Sequence, residues 1–197
     1  MPPGIQFLDQ VIKHIEVNEL PPCTLIRQVH VDGEPVVSQA TDGNGNQFPS
    51  WISVREKVEI FTGTVAEVAG EATQEALFYL DRVEAITPSL ASSFQVSPGP
   101  EAFEQLKQLY QGFYWLNLLS QRVGAITGFD PETRFLPETT ASEYHRKFVS
   151  ILKRLVEAQE TEDFSLISGL LEYEILPLIP DWKALFRTLN ECASRLA

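Results

Sequence analysis

The sequence is poor in the features that mark secreted and membrane-spanning proteins. Its 197 residues include only 2 cysteines, too few for the disulfide framework of a small secreted domain. All its apolar runs fall short of the ~20 residues that cross a bilayer. The first residues, MPPGIQFLDQ, lack the basic segment and the long apolar segment of a secretory signal. We therefore expect a cytoplasmic protein without a membrane partner.

Positive charge is also scarce. The chain carries 15 Lys and Arg against 27 Asp and Glu, which gives a formal net charge of −12 at pH 7. The deficit is general, with 4 basic and 8 acidic side chains in residues 1–63 and 11 basic and 19 acidic in residues 64–197. Because an acidic surface repels the phosphate backbone, we expect no nucleic-acid partner.

Motifs for metals, phosphates and nucleophilic serines are missing. The 3 histidines stand apart in the sequence, and pairing one of them with a nearby carboxylate does not complete a coordination shell. The stretch DGNGNQFPSWIS, from Asp42, has the alternating oxygens of a calcium loop, but Gln47 and Ser53 stand where that loop requires glycine and glutamate. Glycine-rich phosphate loops and G-x-S-x-G elbows are absent too. We predict no metal, no cofactor and no catalytic residue.

The apolar residues that are present divide the chain near Gly63. Before it, CTLIRQVHV (residues 23–31) and VREKVEIFTG (residues 54–63) alternate apolar and polar positions, as strands do, and a helical spacing precedes them. After it, the spacing is helical to the end of the chain. We predict an α+β, mainly α protein: a small mixed region over residues 1–63 and an antiparallel four- or five-helix bundle over residues 64–197.

The N-terminal region resembles the second half of a β-grasp, or ubiquitin-like, module. The resemblance lies in the order of a helix, the strand TLIRQVHVDGE, an Asp-Gly turn and the strand KVEIFTG. It implies a small sheet that begins with a hairpin, for which this sequence has no residues before the helix. Because 2 strands alone are marginal in water, we expect a further strand from Glu34–Ala40, pairing of the sheet edge with a partner chain, or a start upstream of Met1.

Two capping boxes predict where helices of the second region begin. Thr64 is followed by Glu67, and Thr140 by Glu143, and in each pair the hydroxyl and the carboxylate have the spacing that satisfies free N–H groups of a first turn.

Prolines and glycines predict where these helices end. Pro88 is expected to disrupt the first helix, unless an irregular turn carries it onward. The next helix is expected from Pro100 to about Arg122, followed by a long loop, GAITGFDPETRFLPETT, of the kind that is functional or mobile. The prolines in LPLIP predict one kinked helix or two near the C-terminus.

The stretch YQGFYWLNLLSQ (residues 110–121) is apolar on two sides when it is drawn as a helix. Phe113 and Trp115 lie on opposite sides, and Gly112 between them allows a neighbouring backbone to approach closely. A helix of this kind must be covered on both sides, by the core of the bundle, a partner chain or a ligand. We expect Phe113 and Trp115 to be buried, and we take Tyr114, Trp115 and Leu118 as candidates for partner contacts.

A basic stripe runs along the helix YHRKFVSILKRL. Seven-residue separations join Arg146 to Lys153 and Lys147 to Arg154. The stripe is either a solvated helix face paired with nearby glutamates, or a docking surface for an acidic segment or an anionic ligand. In the second case, the acidic run EAQETEDF of another subunit is a suitable partner.

These observations lead to two hypotheses of function. The first is a non-catalytic protein-interaction or adaptor protein that forms a homodimer or binds another protein. The alternative is a small enzyme or ligand-binding protein with a site between the N-terminal region and the bundle, whose polar candidates are Glu143, His145 and Arg146. Convergence of these three with His30 or Trp51 in a deep cleft would favour the alternative, and a flat apolar face would favour the first.

Overall fold

The computed structural model describes residues 8–35 and 57–196 of the chain. The described residues form two compact units, one up to Val68 and the other Ala69–Leu196. The calcium-like stretch that begins at Asp42, and with it Trp51, lies outside the described residues. The elements are α1 (Leu8–Asn18), β1 (Thr24–Val31), β2 (Glu34–Pro35), β3 (Val58–Thr64), α2 (Val65–Val96), α3 (Pro100–Thr127), β4 (Arg134–Leu136), β5 (Thr139–Thr140), α4 (Ala141–Glu160), α5 (Phe164–Leu170), a π-helix (Leu171–Ile175), a 3₁₀-helix (Leu176–Leu178) and α6 (Ile179–Ser194).

The N-terminal unit contains a three-stranded antiparallel sheet in the order β2-β1-β3. A tight turn at Asp32 and Gly33, with φ angles of 51° and 87°, joins β1 to β2. The expected strand from Glu34–Ala40 therefore begins at Glu34, and its described part supplies the third strand of the sheet. Val29 of β1 and Ile12 of α1 are buried against each other and form the small core of this unit.

The helical unit is an antiparallel bundle of α2 to α6, which confirms the predicted α+β, mainly α class. One continuous apolar core fills it, and the largest fully buried side chains share positions on the inner faces of the helices: Leu80, Leu90, Phe94, Leu106, Leu109, Phe113, Leu116, Tyr144, Phe148, Trp182 and Phe186. Both capping boxes are present as predicted, with Thr64 bonded to Glu67 and Thr140 to Glu143.

Helix α2 runs through Pro88, so the predicted disruption there is wrong. A proline in a helix interior costs ~3 kcal/mol because one backbone hydrogen bond is lost and the ring crowds the preceding turn. Beyond it, Leu90 and Phe94 are almost completely buried. Burying a side chain of this size stabilises the fold by about 2 kcal/mol, so the two together contribute about 4 kcal/mol. The packing of the last turns therefore outweighs the cost of the proline.

The segment predicted as a long loop is mostly regular structure. Helix α3 continues to Thr127, past the expected end at Arg122, and stops at Gly128, which has a φ of 68° and donates its N–H to the carbonyl of Gly124. The strands β4 and β5 then pair antiparallel, with Arg134 opposite Thr140. Only short connections remain irregular, and this hairpin leads the chain directly into α4.

In the segment predicted as one kinked helix or two, a π-helix and a 3₁₀-helix connect α5 directly to α6. Pro177 lies in the 3₁₀-helix that follows the π-helix, and Pro180 lies in the first turn of α6. The Tyr144 hydroxyl, on α4, donates a 2.7 Å hydrogen bond to the buried carbonyl of Leu178. The carbonyl of Leu178, which the irregular turn places in the core, thus has a hydrogen-bond partner.

The aromatic stretch on α3 contacts a different helix on each side, so of the coverings considered it is the core of the bundle that covers Phe113 and Trp115. The Phe113 ring meets Phe148 of α4 edge-on at 4.9 Å between centroids, and the Trp115 ring meets Tyr79 of α2 at 5.7 Å. Phe113 is buried, and the half-buried Trp115 packs against the core. The close neighbour of Gly112 is the ring of Tyr79, however, and not the backbone that we expected.

Candidate functional site

A cavity of about 640 Å³ lies between α3, α4 and α6. Its volume falls within the range of roughly 300–1,000 Å³ that small-molecule sites occupy. Apolar and small residues form most of its wall, and six polar side chains join them: Ser120, Gln121, Glu132, Ser142, His145 and Arg146. The apolar wall is formed by Gly124, Ala125, Phe129, Pro131, Ala141, Leu185 and Leu189.

His145 is the histidine of this cavity, and its orientation is fixed at both ring nitrogens. Nδ1 lies 2.7 Å from the carbonyl oxygen of Ala141, one turn earlier on α4. A carbonyl only accepts, so Nδ1 carries the proton and Nε2 of the neutral ring is an acceptor. Nε2 lies 3.1 Å from the hydroxyl of Ser120 on α3. The ring also packs at right angles to Trp182 of α6, with the centroids 5.4 Å apart.

Burial keeps the imidazole neutral. Loss of solvent lowers the pKa of His145 below its usual 6.5, while the hydrogen bond to the carbonyl of Ala141 partly opposes this shift. At neutral pH the cavity therefore holds an uncharged histidine.

The pairing of Ser120 with His145 resembles a nucleophile beside a general base, but its setting is structural. The Ser120 hydroxyl has one proton and two acceptors within reach, Nε2 of His145 and the carbonyl of Asn117 at 2.9 Å. Ser120 is also 5% exposed and stands in the interior of α3, where the backbone N–H groups are committed to the helix. The pair therefore clamps α3 to α4 and forms part of the cavity wall.

The first turn of α4 also has few free donors, although helix N-termini are common anion sites. The N–H of Glu143 donates to the Thr140 hydroxyl at 3.2 Å, and the N–H of Ser142 donates to the carbonyl of Pro131 at 3.0 Å. The Glu143 carboxylate accepts from the N–H of Thr140, and this hydrogen bond is the main cause that lowers the pKa of Glu143. Glu143 is thus engaged in the cap and does not line the cavity.

Arg146 is the cation of the cavity wall. Its Nε lies 3.4 Å from the carbonyl of Ser142, a long hydrogen bond. Within the described part of the chain no carboxylate lies within 4 Å of its guanidinium, although its charge adds to the effect of the Thr140 hydrogen bond in lowering the pKa of Glu143. Two of the three predicted ligand-site residues, His145 and Arg146, therefore lie together at one cavity. His30, which we considered as a further member of such a site, lies on β1, where its ring packs against Phe61. It does not line this cavity.

A groove between α3 and α4 extends from the cavity along the bundle surface. Its polar end is lined by Asn117, Gln121, His145, Arg146, Val149, Ser150 and Lys153. Its apolar end, of about 500 Å³, is lined by Tyr110, Phe113, Tyr114, Asn117, Phe148, Val149, Leu152, Lys153, Val156 and Glu157. We call both ends together the α3–α4 groove.

The four cations of the predicted basic stripe fall into two groups. Arg146 and Lys153 line the groove. Arg154 donates to both carboxylate oxygens of Glu174 at 2.7 Å. Burial raises the pKa of Asp181, and the charge of Lys147 partly opposes this rise, so Lys147 acts on Asp181. Only one side of the stripe therefore faces the groove.

The three partner candidates on α3 differ in exposure. Tyr114 is 66% exposed and lines the groove, whereas Trp115 and Leu118 are half-buried and do not. Trp115 is held in the bundle by its edge contact with Tyr79. Of the three, only Tyr114 thus leaves the larger part of its surface exposed.

Sequence reasoning missed several residues of the cavity, above all Ser120. It follows Leu109, Phe113 and Leu116 on the buried face of α3, and a polar side chain at such a position is the signal that was available. Phe129, Leu185 and Leu189 carry no comparable signal, because apolar residues that line a cavity follow the same spacing as those that fill a core.

Two further features bear on function. Within residues 8–35 and 57–196, no group of three His, Cys, Asp or Glu side chains is arranged to hold a metal ion. None of the helices in these ranges combines the length and the apolar character that a membrane crossing requires.

Comparison with known proteins assigns most of the helical unit to a family. The model of a family described as a domain of unknown function, DUF8042, matches residues 71–185 of this chain. The matched range covers more than half of the 197 residues and includes the α3–α4 groove and most of the cavity wall. No curated protein and no solved structure matches the chain. The chain belongs to the DUF8042 family, a family defined by a domain of unknown function.

Proposed function

We propose that the protein is a non-catalytic interaction or adaptor protein that self-associates through the α3–α4 groove. The observation that carries this proposal is an exposed stripe on α4 beside Tyr114. Its members, Val149, Lys153, Val156 and Glu160, follow one another at separations of 4, 3 and 4 residues, and so share one face of the helix. Val149 and Val156 are 42% and 43% exposed, although both are apolar.

The stripe is complementary to itself in charge. A twofold axis that crosses α4 near Val156 sets two α4 helices antiparallel, with Lys153 of one copy opposite Glu160 of the other. The symmetry repeats each contact, so the interface contains this ion pair twice and places the two Val156 side chains together. The exposed Tyr114 rings lie beside the stripe and add apolar area of the kind that dominates interfaces.

The predicted shortage of strands gives no support to a dimer, because β2 supplies the third strand of the N-terminal sheet. The proposal therefore depends on the helical unit alone.

Charge reversal tests the proposal. An exposed ion pair contributes ~0.5 kcal/mol, and a like-charge pair opposes association by a similar amount. Lys153→Glu replaces two attractions by two repulsions, a change of about 2 kcal/mol, or roughly thirtyfold in Kd. We expect light scattering to give twice the 22.1 kDa chain mass for the unaltered protein, a shift toward monomer for Lys153→Glu, and recovery when Glu160→Lys is added.

The control is Lys147→Glu, which makes the same charge change on the same helix but away from the groove, and it should leave the dimer intact. An unaltered chain that stays monomeric when its concentration is raised tenfold contradicts the proposal. Failure of Glu160→Lys to restore the dimer contradicts the proposed antiparallel register.

A further inference from the structure

The cavity between α3, α4 and α6 has a polar mouth and an apolar interior. Phe129, Leu185 and Leu189 supply the apolar wall, and Arg146 and Glu132 are exposed residues of the lining. Small-molecule sites commonly combine such a wall with a few polar groups that orient the ligand.

The hydrogen bonds of the lining indicate which group is available to a ligand. Both nitrogens of His145 are within hydrogen-bond distance of partners in the chain, and the Ser120 hydroxyl is shared between two acceptors. The guanidinium of Arg146 makes only the long contact from Nε to the carbonyl of Ser142, so its terminal N–H groups have no partner in the described part of the chain. A guanidinium presents its donors as a planar fork that matches a carboxylate.

Electrostatics limits the charge of that ligand to one negative unit. The lining holds one cation, Arg146, and one anion, Glu132, beside a neutral His145, and the chain as a whole carries a formal charge of −12. One guanidinium compensates one negative charge, and the charge of Arg146 already acts on the nearby carboxylate of Glu143. The second charge of a dianion such as a phosphate monoester would therefore stay uncompensated beside Glu132 in an acidic chain.

We infer that the cavity binds a monocarboxylate with an apolar body, whose carboxylate pairs with Arg146 while its hydrocarbon part contacts Phe129, Leu185 and Leu189. The probes that test this inference are octanoate and octanol, which share the hydrocarbon chain and differ in the charged group. Isothermal titration calorimetry of the full chain should show saturable binding of octanoate, about tenfold tighter than that of octanol, since a charge-assisted bidentate contact at a partly exposed site is worth roughly one factor of ten.

Four variants locate the site. Arg146→Gln should weaken octanoate binding about tenfold and leave octanol binding unchanged, and Arg146→Lys should weaken it less because the charge is kept and the fork is lost. Glu132→Gln should tighten octanoate binding about twofold to threefold, since a nearby negative charge is removed. Lys147 follows Arg146 in the sequence but does not line the cavity, so Lys147→Gln should have no effect on octanoate binding.

A blocking variant separates this cavity from the groove. Ala125 is an exposed residue of α3 that lines the cavity and not the groove, so Ala125→Trp fills the mouth without disturbing the core. It should abolish octanoate binding while its thermal unfolding stays like that of the unaltered chain. The monomeric variant Lys153→Glu should still bind octanoate, so failure of one proposal leaves the other intact.

Three results would overturn the inference: no saturable heat at millimolar octanoate, equal affinities for octanoate and octanol, or binding that persists in both Arg146→Gln and Ala125→Trp.

Discussion

The ring of Tyr79 occupies the space into which a side chain at Gly112 would extend. An added Cβ at Gly112 would overlap the phenol oxygen and lie 2.8 Å from Cε1 of the ring. Gly112→Ala therefore sets two effects against each other. Alanine is favoured over glycine in a helix by about 1 kcal/mol, whereas overpacking typically costs ~1–3 kcal/mol. Displacing the ring also weakens its edge contact with Trp115, which is worth roughly another 1 kcal/mol.

The net expectation is that Gly112→Ala lowers the free energy of unfolding by about 1–3 kcal/mol. In a Tyr79→Ala background the ring is gone, and the same substitution should raise that free energy by up to ~1 kcal/mol. The sign of the effect thus reverses, and urea denaturation of the four proteins of this double-mutant cycle measures it. Gly169→Ala on α5 is the control, because a Cβ there has open space and the substitution should not destabilise in either background. If Gly112→Ala stabilises the unaltered chain, the Tyr79 ring moves aside at no cost and the reasoning is refuted.

Three other predictions concern single positions. Phe113→Ala should lower the free energy of unfolding by about 3–5 kcal/mol, since the side chain is 1% exposed. Tyr114→Ala, at the exposed neighbour, should lower it by less than about 1 kcal/mol. Equal losses for the two variants in urea denaturation would contradict this difference in burial. Thr140→Ala should cost about 1 kcal/mol through loss of the α4 cap, and Thr140→Ser should restore most of it in the same assay. Because the pKa of His145 is below 6.5 in the folded chain, the unfolded chain takes up the proton first, so the free energy of unfolding should fall as pH drops through 6.5 toward that lowered value. In thermal melts across this pH range, a His145→Gln protein should lose less stability than the unaltered chain. An unchanged pH dependence in His145→Gln would contradict a neutral buried His145.

Local chemistry made much of the fold predictable. The capping boxes at Thr64 and Thr140 satisfy backbone N–H groups within four residues, so a short stretch of sequence contains the whole interaction. The Asp-Gly turn after β1 is another example, since its positive φ angles follow from the residue types. These elements appear where the sequence predicts them.

Pro88 and the end of α3 were not predictable by the same reasoning. Whether a helix continues past a proline depends on how well the residues beyond it are buried, and for Leu90 and Phe94 the partners come from distant parts of the chain. The cavity likewise depends on contacts between distant parts of the chain. The sequence names His145 and Arg146 as polar candidates, but the hydrogen bond between His145 and Ser120 joins residues 25 positions apart and depends on the helix packing.

The π-helix at Leu171–Ile175 also affects how the family should be compared. A π turn holds one residue more than an α turn, because its hydrogen bonds reach five residues instead of four. Loss of one residue there would convert the turn to an ordinary one while the buried faces of α5 and α6 keep their partners. Alignments of DUF8042 sequences should therefore show one-residue gaps at this segment more often than within α4, where the same deletion would rotate Phe148 and Leu155 out of the core.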